Sequence, residues 1–247
     1  MPLMGSKPSN SFEPDRDFAK RACFTARGVW RGVVEIAPIA AFVIPFGVAF
    51  GVAASAKAIS PDIAVLMSAI VFGGASQFAA LDLWFAPLPL AMLALTVLAV
   101  NARYILLGAA LAPWLLQIPI ARRLAALIFL SDGNFAHAVS ARQRGEVDAG
   151  ILLGSGLAMW VTWIAGTAIG SYGGTFLGEL SRFGLDAVMV TYFAAVVVGQ
   201  WKGSVDLVPW VAAAAVALVC ANILPPGWHI IAGALAGGIA GAWRHGA

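Results

Sequence analysis

Four ionisable side chains, Glu35, Asp82, Arg103 and Asp132, stand in a stretch that is apolar almost throughout from Gly32 to Trp243. A charge at the centre of a membrane helix costs roughly 2.5–3.5 kcal/mol on insertion scales, so each needs a partner or a purpose. Asp132 has the sharpest setting. Ser131-Asp132-Gly133-Asn134 interrupts the apolar segment Leu124–Ala141 with residues that cap and turn helices. A helix broken at mid-depth turns free N–H groups and a positive dipole end toward a cavity, where a carboxylate can bind. Asp132 could cap that half-helix, bind an amine or carry a proton; its local alternative is to satisfy neighbouring backbone donors.

Two other segments add polar groups. Asn101 and Arg103 lie in the stretch Asn101–Gly108. Asn101 shares a helix face with Ile105 and Arg103 points elsewhere, so they do not form one ligand row. Arg103 reads as the partner of Asp132 or Glu35, gating or balancing charge, and a static pair fits equally well. In Met67–Trp84, Gly73-Gly74-Ala75-Ser76 is compact enough for backbone to line a cavity. The Ser76 hydroxyl and Gln77 amide add neutral hydrogen-bonding groups there, while Asp82 falls at the interface. Glu35 precedes Pro38 by less than a turn, and Pro38 and Pro45 should kink one helix twice and free carbonyls. With Gly47 and Gly133 they are the hinge candidates. A kinked, polar-lined and apolar-walled site suits a small amphipathic solute.

The elements that must position these groups are membrane helices. The 247 residues are 61% hydrophobic and 11% charged, with a mean hydropathy of +0.88. A span needs about 20 apolar residues. Apolar segments run 32–58, 61–84, 87–112, 121–140, 150–173, 185–201, 207–223 and 228–243. The expected fold is therefore an all-α polytopic membrane protein of seven or eight transmembrane helices, some kinked or discontinuous. Residues 1–31 read as a polar cytoplasmic tail without signal-peptide character, and 32–247 as one transmembrane transporter domain. Eight spans put both termini in the cytoplasm, with the basic tail, Arg142, Arg144, Lys202 and Arg244 inside. Lys57, Arg122, Arg123 and Arg182 then fall outside, and the Arg122–Arg123 pair argues against that count. Seven spans with one re-entrant segment is the alternative.

Small residues recur every four positions at Gly150, Gly154, Ala158, Thr162, Gly166, Gly170, Gly174 and Gly178. Gly233, Gly237 and Gly241 repeat the spacing, as do Gly47, Gly51 and Ser55. Such ridges let helix backbones approach closely, and packing alone explains most of them. The long ridge exceeds one membrane thickness, so a helix break is expected at Ser171–Gly174. Asp62 and Gln77, echoed by Asp186 and Gln200, with Asn101 and Asn222 following, suggest an internal duplication.

Other classes fit poorly. The net charge of +3 lies mostly in the tail and points to a lipid surface, not nucleic acid. Cys23 and Cys220 fall in different environments, so no disulfide is expected. No cluster has metal-ligand spacing and no glycine loop cradles phosphate, so neither metal nor cofactor is expected and the chain does not read as an enzyme. An intramembrane serine hydrolase pairing Ser76 with a histidine such as His137 is the remote rival. Homo-oligomerisation is left open.

The stretch from Pro38 through Gly51, then LMSAIVFGGASQFAAL, NARYILLGAALAP and SDGNFA, in this order and spacing, resembles the AzlC family. These are the large subunits of bacterial branched-chain amino-acid exporters, and the resemblance covers most of residues 32–200. It implies an inner-membrane exporter of valine, leucine, isoleucine and methionine, driven by an ion gradient and joined to a small AzlD-like membrane subunit. Members commonly carry Asp-Glu followed by Ser where this chain has Asp132-Gly133-Asn134, so one carboxylate is kept and one is lost. On this reading the substrate carboxylate meets Arg103 or a half-helix N-terminus. Its amine meets Asp132 or the groups near Ser76, Gln77 and Asn134, and Asp132 carries the coupled proton.

Overall fold

The computed structural model describes residues 22–173, 194, 198, 203–224 and 228–245. The helices are α1 (Ala26–Ala56), α2 (Pro61–Val71), α3 (Gly74–Asp82), α4 (Leu90–Asn101), α5 (Arg103–Leu115), α6 (Ile120–Ile128), α7 (Asp132–Gln143) and α8 (Gly150–Gly173). After a single 3-10 turn at Ser204–Asp206 come α9 (Leu207–Ile223) and α10 (Trp228–His245). No strand occurs among the described residues. Among the described residues, four stretches are long and apolar enough to cross a membrane: α1, the nearly continuous α4–α5, α8, and 204–223. The apolar segment expected at 185–201 lies outside the described residues apart from 194 and 198, as do most of the polar tail, Gly174, Gly178, Asp186 and Gln200.

The spine is α1 against α8. Thr25 caps α1 by accepting from the Gly28 N–H at 3.0 Å, so the helix starts inside the segment that composition assigned to the tail. It then runs unbroken through Pro38 and Pro45. Both prolines are exposed, so the lost backbone bonds fall on the side away from α8. The two helices are parallel: Gly28 meets Asp148, Gly32 meets Ile151, Gly47 meets Trp163 and Gly51 meets Thr167. A Cβ on Gly154 would lie 1.8 Å from the Val29 carbonyl oxygen, and one on Gly170 would lie 2.1 Å from that of Val48. The four-residue ridge is thus the face on which α8 receives α1, in the manner of small-residue packing in lipid.

The segments 61–84 and 121–140, which their length presents as spans, are instead two hairpins of short helices that leave by the end they entered. Residues 22–25 mark one end of the molecule. There the Cys23 N–H donates to the Val147 carbonyl at 3.0 Å, the Ala22 N–H to Gln117 at 2.8 Å, and Arg122 to the Phe24 carbonyl at 3.2 Å. α6 therefore begins at this end and α7 returns to it, because Val147 follows α7 and accepts from the Trp114 indole at 3.2 Å. The hairpin α2–α3 enters from the opposite end. Asp62 accepts from Tyr172 at the end of α8, and Leu81 packs with Ala54 and Ile59 where α1 finishes.

This placement resolves the anomaly of the paired arginines. Arg122 and Arg123 lie at the same end as Arg27, Arg31 and Arg144, while Lys57 stands at the other with Asp62 and Asp82. An eight-span count separates Arg122 and Arg123 from the tail because length cannot distinguish a crossing from a fold-back. Peripherally, α9 and α10 form an antiparallel pair in which Gly233 and Gly237 approach Ala213, Ala217 and Pro209, and α10 rests on α4.

Candidate functional site

Both hairpin tips stop against the middle of α8. At the α2–α3 tip, Phe72 closes α2 in the left-handed region with φ 42°, and α3 restarts at Gly74. The Trp163 ring fills the space beside Gly74, 3.0 Å from where a Cβ would sit. At the α6–α7 tip, Ser131 caps α7 and forms a capping box with Asn134. Phe129 meets Trp160 edge to face at 5.4 Å. Two helix N-termini, those of α3 and α7, thereby point into the middle of the bundle, each presenting first-turn N–H groups and a positive dipole end.

Arg103 stands at the same depth, at the step between α4 and α5. Its Nη1 lies 2.9 Å from Oδ2 of Asp132, and its guanidinium sits 5.1 Å from the centroid of the Tyr104 ring. Arg103 Nε is buried and has no hydrogen-bond partner. The pair borders a cavity of about 950 Å³ whose walls include Phe46, Phe72, Met159, Trp163 and Gly133. An apolar chamber with Arg103 and Asp132 at its edge, and Asp206 elsewhere in its lining, can receive a zwitterion, taking the carboxylate on Arg103 and the amine on Asp132.

The other candidate residues separate into three groups. Gln77 is fully buried and donates to Ser68 at 3.1 Å while accepting from the Trp163 indole at 2.9 Å. Ser68 shares a 2.8 Å bond with Thr167, so this chain of buried groups pins the α2–α3 hairpin to α8. Ser76 binds back to the Gly73 carbonyl at 2.8 Å, a local bond that closes the first turn of α3. Asn134 is likewise fully buried. It donates to the Phe129 carbonyl at 2.8 Å and the Leu152 carbonyl at 3.2 Å, tying the α6–α7 tip to α8. Asn101 alone of these keeps a buried oxygen without a partner, 3.4 Å from where a Cβ on Gly73 would stand.

Glu35 is not brought to Arg103. It accepts from Arg31 at 3.1 Å and faces His137 on α7, with Oε2 and Nε2 3.3 Å apart. Ser76 and His137 belong to different hairpins and each is engaged elsewhere, so this serine–histidine combination is not assembled. Asp82 is exposed at the end of α3.

Sequence reading passed over the loop that joins α7 to α8. Asp148 binds the Thr25 N–H at 3.0 Å and the Gly150 N–H at 2.9 Å, fastening the start of α1 to the start of α8. Burial pushes the neighbouring Glu146 carboxyl up. The Val147 and Asp148 N–H groups and the Arg31 guanidinium outweigh that and hold it below the usual range. The only signal in the sequence was two acids beside a glycine-led apolar run.

The AzlC family, described as AzlC protein, matches residues 38–177. Inner membrane protein YgaZ of Escherichia coli (strain K12) is 32% identical over 149 residues, 59% of this chain and 61% of that protein. Branched-chain amino acid transport protein AzlC of Bacillus subtilis (strain 168) is 28% identical over 167 residues, 66% of this chain and 64% of that one. An uncharacterized membrane protein of Archaeoglobus fulgidus is 31% identical over 217 residues, 86% of this chain and 94% of that protein. The chain thus spans somewhat less than two thirds of the first two relatives. No solved structure matches it. The family match covers more than half of the chain, including both hairpins and the Arg103–Asp132 pair, and the chain belongs to the AzlC family.

Proposed function

We propose that the chain exports small apolar amino acids, the branched-chain ones first, across the bacterial inner membrane by secondary transport. It acts as the large subunit beside a small hydrophobic partner. The observation that carries this reading is the Arg103–Asp132 pair at the edge of an apolar cavity where two hairpins from opposite ends meet. Arg103 takes the substrate carboxylate, Asp132 the ammonium, and the aliphatic side chain lies against Phe72 and Met159. Hairpins inserted from the two ends provide one barrier on each side of such a chamber, which is what alternating access requires. The concentration of arginines at the end bearing residues 22–25 favours a cytoplasmic N-terminus.

Efflux from dipeptide-loaded cells tests the proposal. Cells carrying both this gene and its small membrane neighbour are expected to release valine, leucine or isoleucine faster than cells carrying either gene alone. If both proteins reach the membrane and no amino acid leaves, the substrate assignment is wrong. Equal efflux from the single gene removes the obligatory partner.

A further inference from the structure

The Arg103–Asp132 pair balances its own charges, and the α1–α7 contact contains a second titratable site. We propose that His137 and Glu35 form the proton-binding site of this protein, separate from the substrate pair, and that its occupancy sets how the α6–α7 hairpin sits against α1. This rests on the transport reading above.

Three observations carry it. His137 Nε2 lies 3.3 Å from Glu35 Oε2, and the histidine side chain is 11% exposed. Its Nδ1 is buried and has no hydrogen-bond partner. Contact between α1 and α7 is otherwise sparse, so this pair is a main tie between α7 and α1. An imidazole changes charge in the range where a cell's proton gradient operates.

The surrounding charges are few and identifiable. On α1, Arg31 bonds Glu35 at 3.1 Å and also holds Glu146 of the following loop. At the end of α7, Arg144 bonds Ser140 at 2.8 Å. From Gly150 to Gly173, α8 carries no acid, no base and no histidine, its one titratable side chain being the Tyr172 phenol at the far end. On the tip of α7, Asp132 is engaged by Arg103.

The proton balance is simple. A neutral His137 keeps its ring proton on Nε2 and donates to the Glu35 carboxylate. A further proton, taken from water at the end bearing residues 22–25, settles on Nδ1 without breaking any covalent bond. The new Nδ1–H then points into a buried space with no acceptor, which is costly. The charged ring is accommodated when α7 shifts against α1, carrying the hairpin with it. Loss of the proton lets the hairpin return.

The first test needs no substrate. The full chain in lipid nanodiscs, labelled with ¹⁵N-histidine, has three histidines, and the His137 ring is identified by its loss in His137→Gln. That ring is expected to take up a proton within the pH range over which the protein stays folded, and the midpoint moves to lower pH in Glu35→Gln. A ring that takes up no proton in that range, or a midpoint indifferent to Glu35→Gln, overturns the proposal. The second test uses proteoliposomes holding the chain and its small partner, with leucine as probe. His137→Gln is expected to lose accumulation driven by a pH gradient and to make leucine exchange at equal pH independent of the pH chosen. Accumulation at the unmodified level in His137→Gln overturns the proton site. Absence of leucine exchange by the unmodified protein would count against the transport reading, and the histidine titration would still decide the proton site.

Discussion

Arg103 and Asp132 meet at 2.9 Å across the step between α4 and α5 and the tip of the α6–α7 hairpin. The contact joins the stretch α4–α5, long and apolar enough to cross a membrane, to a hairpin that folds back on itself. It is partly open, with side-chain exposures of 26% and 34%, so a ligand can reach both partners.

Removing either charge leaves the other without compensation in a low-dielectric setting. Arg103→Gln and Asp132→Asn should each lower leucine exchange by about tenfold or more. The exchanged pair Arg103→Asp with Asp132→Arg should restore the amount of protein in the membrane without restoring exchange, because the substrate's two ends would face the wrong signs. Recovery of exchange in the double variant would reduce the pair to a structural tie.

Topology can be read by cysteine labelling in a background where Cys23 and Cys220 are replaced by serine. Cysteines at Arg122 and Arg144 should react from the same side of the membrane, and a cysteine at Lys57 from the other. Arg122 and Lys57 reacting from one side would make 121–140 a full span.

The spine should be intolerant of side chains. Gly154→Ala and Gly170→Ala place a Cβ 1.8 Å and 2.1 Å from carbonyl oxygens of α1, and overpacking of that kind costs about 1–3 kcal/mol. Both should lower the thermal midpoint in detergent. Gly108→Ala meets nothing within 4 Å and should hold or slightly raise it, since alanine is the better helix former by about 1 kcal/mol.

Gln77→Leu orphans the Trp163 indole N–H and removes a partner of Ser68. Each buried polar group left unmade costs about 1–3 kcal/mol. A lower thermal midpoint is expected, measured by fluorescence-detected gel filtration, with leucine exchange per folded molecule reduced less than in Arg103→Gln. An unchanged midpoint would mean that the buried chain of bonds does not hold the hairpin.

Acid should loosen the loop between α7 and α8. Glu146 is held below its usual range in the folded protein, so its contribution is present above the ordinary carboxylate range and is lost as pH falls through the lowered value. Thermal stability of the unmodified protein should therefore decline more steeply below about pH 4.5 than that of Glu146→Gln. Parallel curves would remove Glu146 as the cause.

The break at Ser131-Asp132-Gly133-Asn134 was legible because serine, glycine and asparagine have local reasons to end a helix. The cost of an unpaired charge in lipid called for a partner to Arg103 and left Asp132 and Glu35 both open; the structure pairs it with Asp132. That α6 and α7 fold back was not legible: twenty apolar residues fit a crossing, and the direction of return is decided by distant contacts such as Arg122 to Phe24. Gln77 was misread for a related reason. Its amide suits a cavity wall, but Ser68 and Trp163, far apart in sequence, enclose it. Glu35 was assigned a partner by charge alone, and the histidine that faces it is weakly marked in a sequence.

The glycine contacts between α1 and α8 have a consequence for biogenesis. Thr25 and Asp148, which bind each other at the head of the spine, are 123 residues apart. α1 thus leaves the translocon and waits in the bilayer, its groove empty, while both hairpins and α4–α5 are still being synthesised. The short hairpins, whose tips are fastened to α8 through Asn134 and Gln77, cannot be seated until α8 arrives to receive them.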